Sequence, residues 1–321
     1  MIITEAHDQD LPAIIALQKI SLGDSRVLKS EAYFRWKHLQ NPFGVSKIIL
    51  AKENEQLIGL RTFMQWTWAR DNQSVQAVRA VDTATDPAHQ GKGIFKKLTL
   101  QAVDECKSEG VGLVFNSPNP QSMAGYLKMG WQVAGRLPIC FGPGSLIPRK
   151  FYSEGLNEMA DLFPIHAALA RIQDPHWRIS GGSSWHTPIN KAYLHWRFAT
   201  CPVAQYGAII EPGAFGLVYR VKKLKYFFEL RICEAWTENT DSNTKQAARK
   251  AYRQLIRSIR PALVSYCPTP LFMAGNERPG RLFGPYKKGP LITIRPLAWE
   301  NLNTFEQFHQ WQPSLGSMEL F

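Results

Sequence analysis

The residues best suited to chemistry lie between Val81 and Trp131. An extended run, Val81-Asp-Thr-Ala-Thr-Asp-Pro87, leads to the short turn Gln90-Gly91-Lys92-Gly93, and a helical pattern begins at once with Ile94 and Phe95. A glycine-bearing turn that feeds a helix leaves several backbone N–H groups unpaired at the positive end of the helix dipole, which is a site for a phosphate or pyrophosphate. An ordinary strand-to-helix connection would read the same way if the turn stood alone. Lys92 and Lys96 would either add charge there or be solvated. Asp82 is a carboxylate inside a strand, where a charge is costly without a partner or a task. The partners that the sequence suggests for it are Arg79, Arg61 or a backbone turn.

The elements that must position these residues follow from periodicity. Strands are expected over 2–6, 47–52, 57–70, 74–85, 111–116 and 131–137, and helices over 10–20, from a Ser30 cap through Trp36, over 93–109 and over 122–129. The order is strand, two helices, three strands, helix, strand, helix, strand. It gives a mixed α/β (α+β) sheet with antiparallel hairpins beside one parallel pair. Residues 141–148, rich in Gly and Pro, read as a linker between a first domain over 1–140 and a second over 149–321. The pattern partly recurs in the second. Tyr193-Leu-His-Trp-Arg-Phe echoes Tyr33-Phe-Arg-Trp-Lys-His, strands are expected over 206–211, 215–222, 226–236 and 262–266, and a basic amphipathic helix over 245–259. No glycine turn precedes that helix, since 237–244 contains no glycine.

A chain of 321 residues has room for two domains of ordinary size. Its 38 basic against 26 acidic residues leave 38 − 26 = +12, which favours anionic partners, although the same charge also serves solubility. No block of like charge and no nucleic-acid motif is present, so no nucleic acid is expected as a partner. Five scattered cysteines without C-x-x-C spacing read as free thiols in a reducing compartment, and the histidines show no metal spacing, so no metal is expected. The N-terminus lacks a signal-peptide pattern and no run of eighteen apolar residues occurs; a cytoplasmic protein without a membrane span is expected. Trp36, Trp66, Trp68, Trp185 and Trp196 read mainly as core or interface residues.

The turn residues Gln90, Gly93 and Phe95, followed by Asn119, Tyr126 and Gly130-Trp131, resemble the acyl-CoA-binding core of the GNAT acetyltransferase superfamily. Phe95 departs from the small residue usual at its place. The run Tyr33–Gly44 and the ending Trp311–Phe321 resemble a subgroup with two tandem GNAT-like domains, some associated with polysaccharide biosynthesis. The resemblance implies acetyl-CoA as co-substrate, a small-molecule amine acceptor such as an amino sugar, and direct attack of the amine on the thioester. It implies that backbone near Thr83 and Thr85 holds the pantetheine arm, and that the N–H groups of Gln90, Gly91, Lys92, Gly93, Ile94 and Phe95 take the pyrophosphate. Tyr126 would protonate the leaving thiolate, or else only pack on its helix face; Asn119 would touch the cofactor arm or cap the following helix. Asp82 would act as general base, directly or through water, or serve in an ion pair. The second domain, lacking the glycine turn, is expected to be degenerate, with an acceptor-binding or structural role. The alternative is a module of the same fold that binds CoA or another anionic ligand without turnover. The oligomeric state stays open.

Overall fold

The computed structural model describes residues 1–24, 27–150, 156–179, 182–239, 241–269, 283–286, 289–298, 305 and 307–318. The chain divides into two compact units, Met1–Gly135 with Pro290–Gln310, and Arg136–Gly289 with Trp311–Leu320.

The first unit is built on β1 (Ile2–Glu5), α1 (Leu11–Leu22), α2 (Glu31–His38), β2 (Lys47–Glu53), β3 (Gln56–Arg70), β4 (Gln73–Thr85), α3 (Ile94–Ser108), β5 (Leu113–Asn116), α4 (Pro120–Lys128) and β6 (Gln132–Arg136). The sequence order of elements is the expected one. β1 to β4 run antiparallel in succession, and β4 and β5 are parallel. Alternation along the strands sorts the core into two layers. Ile49, Ala51 and Phe63 face α3, which packs on them through Ile94, Leu98, Ala102, Val103 and Cys106. Leu50 and Leu60 face the opposite side, where Leu11, Ile14 and Leu17 of α1 and Phe34 of α2 cover them. Gly59 lets α3 approach: a Cβ there would lie 2.6 Å from Ile94 Cγ2. The five tryptophans singled out above are all buried.

A seventh strand, Leu291–Pro296, returns to this sheet from far along the chain and lies between β5 and β6, antiparallel to β5. Sequence periodicity gave no sign of it. The stretch read as a linker also carries structure, since β7 (Ile139–Pro143) pairs antiparallel with a strand of the second unit.

The second unit contains β8 (Gly207–Glu211), β9 (Phe215–Lys223) and β10 (Phe228–Thr237), antiparallel in succession, then a helix, Ser242–Ile259, and β11 (Leu263–Tyr266), parallel to β10. This repeats the β2-β3-β4-α3-β5 path of the first unit. The repeat is in register at the residue level. Tyr193 stands 193 − 33 = 160 residues after Tyr33, and the same offset relates Trp36 to Trp196, Lys37 to Arg197 and Pro42 to Pro202. Ser30 caps α2 by accepting from the Tyr33 N–H at 3.2 Å, and Asn190, 160 residues on, accepts from the Tyr193 N–H at 2.8 Å. β7 stands to β11 as the strand at Leu291–Pro296 stands to β5, each antiparallel to its neighbour; β7 opens the second unit, whereas Leu291–Pro296 rejoins the first unit from beyond the second in sequence.

Candidate active site

The glycine turn forms as the residue types require. Asp86 accepts from the Ala88 N–H at 2.9 Å and closes a tight turn over Pro87–His89. Gly91 and Gly93 both adopt φ of 77°, the left-handed region that glycine enters without steric cost. Gly93 is the N-cap of α3 and supplies no side-chain cap, so the first N–H groups of the helix keep no acceptor within it. A Cβ built at Gly91 or Gly93 would meet nothing within 4 Å, so the turn borders open space. Lys92, Lys96 and Lys97 stand exposed around it. Backbone donors, helix dipole, lysines and open space together fit an anionic phosphate group.

Ile94 and Phe95 turn their side chains inward and can serve such a group only through their N–H. Ile94 is buried against Gly59, and Phe95 lies edge-on to Tyr126 with ring centroids 5.3 Å apart. The bulk of Phe95 is therefore spent on the core and not on the turn. Gln90 reaches back to the Thr85 carbonyl at 3.4 Å, an oxygen that also accepts from Ser21 Oγ at 2.9 Å. Asn119 is exposed and caps α4, its Oδ1 accepting from the Ser122 N–H at 2.8 Å.

β4 is irregular where the site needs it. Leu60 pairs with Ala84 and Thr62 with Val81, so Asp82 and Thr83 together face Arg61 across a β-bulge, and Asp82 takes φ of 48°. The parallel ladder to β5 runs only from Ala77 to Arg79, and beyond it residues 80–85 have no β5 partner. The open strand edge so left is a place where an extended ligand arm can add by main-chain hydrogen bonds. Ser117, just past β5, has a buried hydroxyl without a hydrogen bond among the described residues.

Asp82 does not pair with Arg61 or Arg79. Its carboxylate meets Lys37 Nζ at 2.6 Å and His38 Nε2 at 3.0 Å. Burial works to raise the Asp82 pKa, but the Lys37 ammonium and the His38 hydrogen bond outweigh it and hold the carboxyl well below the usual range. Burial also keeps His38 neutral by pushing its pKa down. With Asp82 ionised, His38 Nε2 carries the hydrogen, and Nδ1 accepts from Ser46 Oγ at 2.9 Å. A carboxylate so firmly ionised is a weak proton acceptor. Neither Lys37 nor His38 was singled out from sequence as a partner of Asp82; both lie on the buried end of α2, more than forty residues away.

Tyr126 is buried on α4, between the rings of Phe95 and Trp131. Its Oη accepts from Arg61 Nη1 at 2.8 Å, and the same guanidinium nitrogen donates to Thr83 Oγ1. Arg61 thus ties the bulge of β4 to the tyrosine on α4. Cys106 is not a nucleophile of this site, since burial pushes its thiol up to about 12. Among the described residues no group of His, Cys, Asp or Glu is placed to hold a metal ion. No helix among them is long and apolar enough to cross a membrane.

A mixed sheet with a bulged fourth strand, a fifth strand that parts from it and a glycine turn opening the helix between them make an α/β fold with a site suited to an extended anionic ligand. Residues 3–134 match the family model of the acetyltransferase (GNAT) domain. The first unit of this chain is a GNAT acetyltransferase domain, and the protein is an acyltransferase. No protein of curated function matches the chain in sequence. Among solved structures it is similar to a GCN5-related N-acetyltransferase from Anabaena variabilis, with 13% identity over 92% of this chain and 72% of that one and a TM-score of 0.61. It is also similar to a probable N-acyltransferase from Enterococcus faecalis, with 10% identity over 94% and 74% of the two chains and a TM-score of 0.62. N-myristoyltransferase from Saccharomyces cerevisiae with bound myristoyl-CoA aligns over 99% of this chain and 85% of its own, at 11% identity and a TM-score of 0.51. At these identities the likeness is one of fold, and it extends over both units.

Proposed function

We propose that this chain is an N-acetyltransferase that moves the acetyl group of acetyl-CoA to a small amine, an amino sugar being the first candidate, by direct attack of the amine on the thioester. The observation that carries this reading is the open glycine turn at the start of α3, set beside the part of β4 that leaves β5. The N–H groups from Gln90 to Phe95 would take the pyrophosphate, with Lys92 adding charge. The free edge of β4 around Thr83 would pair with the pantetheine arm. Tyr126 would give its proton to the departing thiolate. Asp82 reads better as the fixed counter-ion of Lys37 and His38 than as the base, so the acceptor amine would arrive neutral or lose its proton to water. The second unit lacks the glycine turn and is assigned an acceptor-binding or structural role.

The test is calorimetric titration of acetyl-CoA into the protein, followed by thiol release with glucosamine, spermidine and lysine as amine probes. Saturable binding is expected, with turnover on at least one amine. Tyr126→Phe should bind acetyl-CoA as the parent does while kcat falls by about 10²-fold or more. Absence of binding at millimolar acetyl-CoA would sink the reading; binding without turnover on any amine would leave a CoA-binding module.

A further inference from the structure

Arg61 is a buried cation with no anion among the described residues. It is 0% exposed, and among the described residues its polar contacts are Thr83 Oγ1 and Tyr126 Oη, both through Nη1. Its Nε and Nη2 are buried and make no hydrogen bond among the described residues. Its faces are covered by the rings of Phe63, Phe95 and Tyr126, at 4.6, 5.8 and 5.4 Å from the guanidinium carbon. Aromatic faces recover part of the cost of desolvating a guanidinium, but three N–H bonds without acceptors remain costly, and a leucine of similar reach would fill the space more cheaply. The second unit supplies that comparison. Ile49 pairs with Arg61, Ile209 stands 209 − 49 = 160 residues after Ile49, and Ile209 pairs with Leu217. The repeat that lacks the glycine turn has leucine where the repeat that carries it has arginine.

We infer that Arg61 is a positioning residue for Tyr126 in acyl transfer, an inference that rests on the proposed function. Arginine only donates hydrogen bonds, so Tyr126 Oη must accept from it, and the tyrosine's own hydrogen is directed elsewhere and left for donation. During transfer the acceptor nitrogen forms the new C–N bond and the C–S bond breaks with its electron pair on sulfur. The Tyr126 proton passes to that sulfur, and the proton lost from the acceptor nitrogen returns to the phenolate oxygen. Between those two proton transfers Oη is negative, 2.8 Å from a permanent positive charge that needs no reorganisation. The attraction exists only while Oη is charged, so it lowers the barrier without tightening the bound substrates. The bond to Thr83 fixes Arg61 to the bulge of β4, so the charge stays in place as α4 and β4 are held together.

The experiment compares Arg61→Gln, Arg61→Lys, Tyr126→Phe and the double variant Arg61→Gln/Tyr126→Phe, using acetyl-CoA and the fastest of the three amine probes. Arg61→Gln should lower kcat by about 10²-fold with KM for acetyl-CoA unchanged, Arg61→Lys should recover part of the loss, and Tm should not fall in Arg61→Gln. In the Tyr126→Phe background Arg61→Gln should cost nothing further. An equal loss in both backgrounds, or a loss that follows a fall in Tm in both Arg61 variants, would make Arg61 a structural residue and overturn the inference. A slow Tyr126→Phe beside an unimpaired Arg61→Gln would remove this inference alone. A Tyr126→Phe as fast as the parent, or a parent without turnover, would remove both it and the reading on which it rests.

Discussion

Lys37 and Asp82 form a buried charge pair in the first unit, and they show how one side chain can be held in a state chosen by its neighbours. Lys37 is 1% exposed and its ammonium has Asp82 at 2.6 Å. Removing one member of a buried pair leaves the other charge uncompensated and costs about 3–5 kcal/mol. Lys37→Met is expected to lose about that much stability at neutral pH, measured by denaturant unfolding. The pH dependence has a definite sign. A carboxyl whose folded pKa is depressed contributes stability above its unfolded value, near 3.9, and loses it as pH falls through the lower folded value. The gap between parent and Lys37→Met should therefore narrow as pH falls below about 4. A gap that stays constant across that range would mean that Lys37 supports the fold through its aliphatic stem alone. Asp82 could be marked from sequence as a carboxylate in need of a partner, because a charge inside a strand is a local anomaly. Lys37 could not be matched to it, because nothing in either segment shows that the end of α2 meets the bulge of β4.

At the scale of elements, the turn into α3 was legible for the opposite reason: Gln90-Gly-Lys-Gly93 encodes its geometry within four residues. Gly93 has φ of 77° and open space around it. Asparagine tolerates that region better than other L-residues and adds no charge, whereas aspartate of nearly the same shape places a negative group at an anion site. Gly93→Asn is expected to weaken acetyl-CoA binding modestly and Gly93→Asp by at least about tenfold more, a difference of about 1.4 kcal/mol or above. Isothermal titration of both variants, with Tm measured beside it, decides the matter. Equal weakening by the two would assign the effect to backbone strain and take the phosphate away from this turn. The bulge in β4 was not legible: Val81-Asp-Thr-Ala-Thr85 sets two polar residues side by side, but such a break in alternation does not say whether the backbone bulges or a side chain is merely polar. Its extra residue shows only in the register against β3, and with it the meeting of Arg61, Thr83 and Tyr126.

Across the whole molecule, the two repeats could be suspected from the echo of Tyr33-Phe-Arg-Trp-Lys-His in Tyr193-Leu-His-Trp-Arg-Phe, but the return of a late strand to the first sheet could not. A short apolar run says that a strand exists and not which sheet it joins; Leu291–Pro296 and Ile139–Pro143 each join the sheet that sequence proximity would not choose. The return of Leu291–Pro296 has a thermodynamic consequence. In the sheet of the first unit, β5 is buried along its length and is flanked by β4 and by the returning strand. Ile292 and Ile294 of that strand are 0% and 1% exposed. Burying two isoleucines is worth about 3–6 kcal/mol, comparable with the whole stability of an ordinary domain. Cutting the chain at residue 140 also leaves the β5 edge without its ladder of hydrogen bonds, an edge open to pairing with other chains. A fragment of residues 1–140 is thus expected to show no cooperative thermal transition and to aggregate. A peptide of residues 289–298 in excess should restore a transition whose midpoint rises with peptide concentration, as a ligand binding only the folded form must. A fragment that unfolds cooperatively without the peptide would show that the returning strand decorates the sheet and does not complete it.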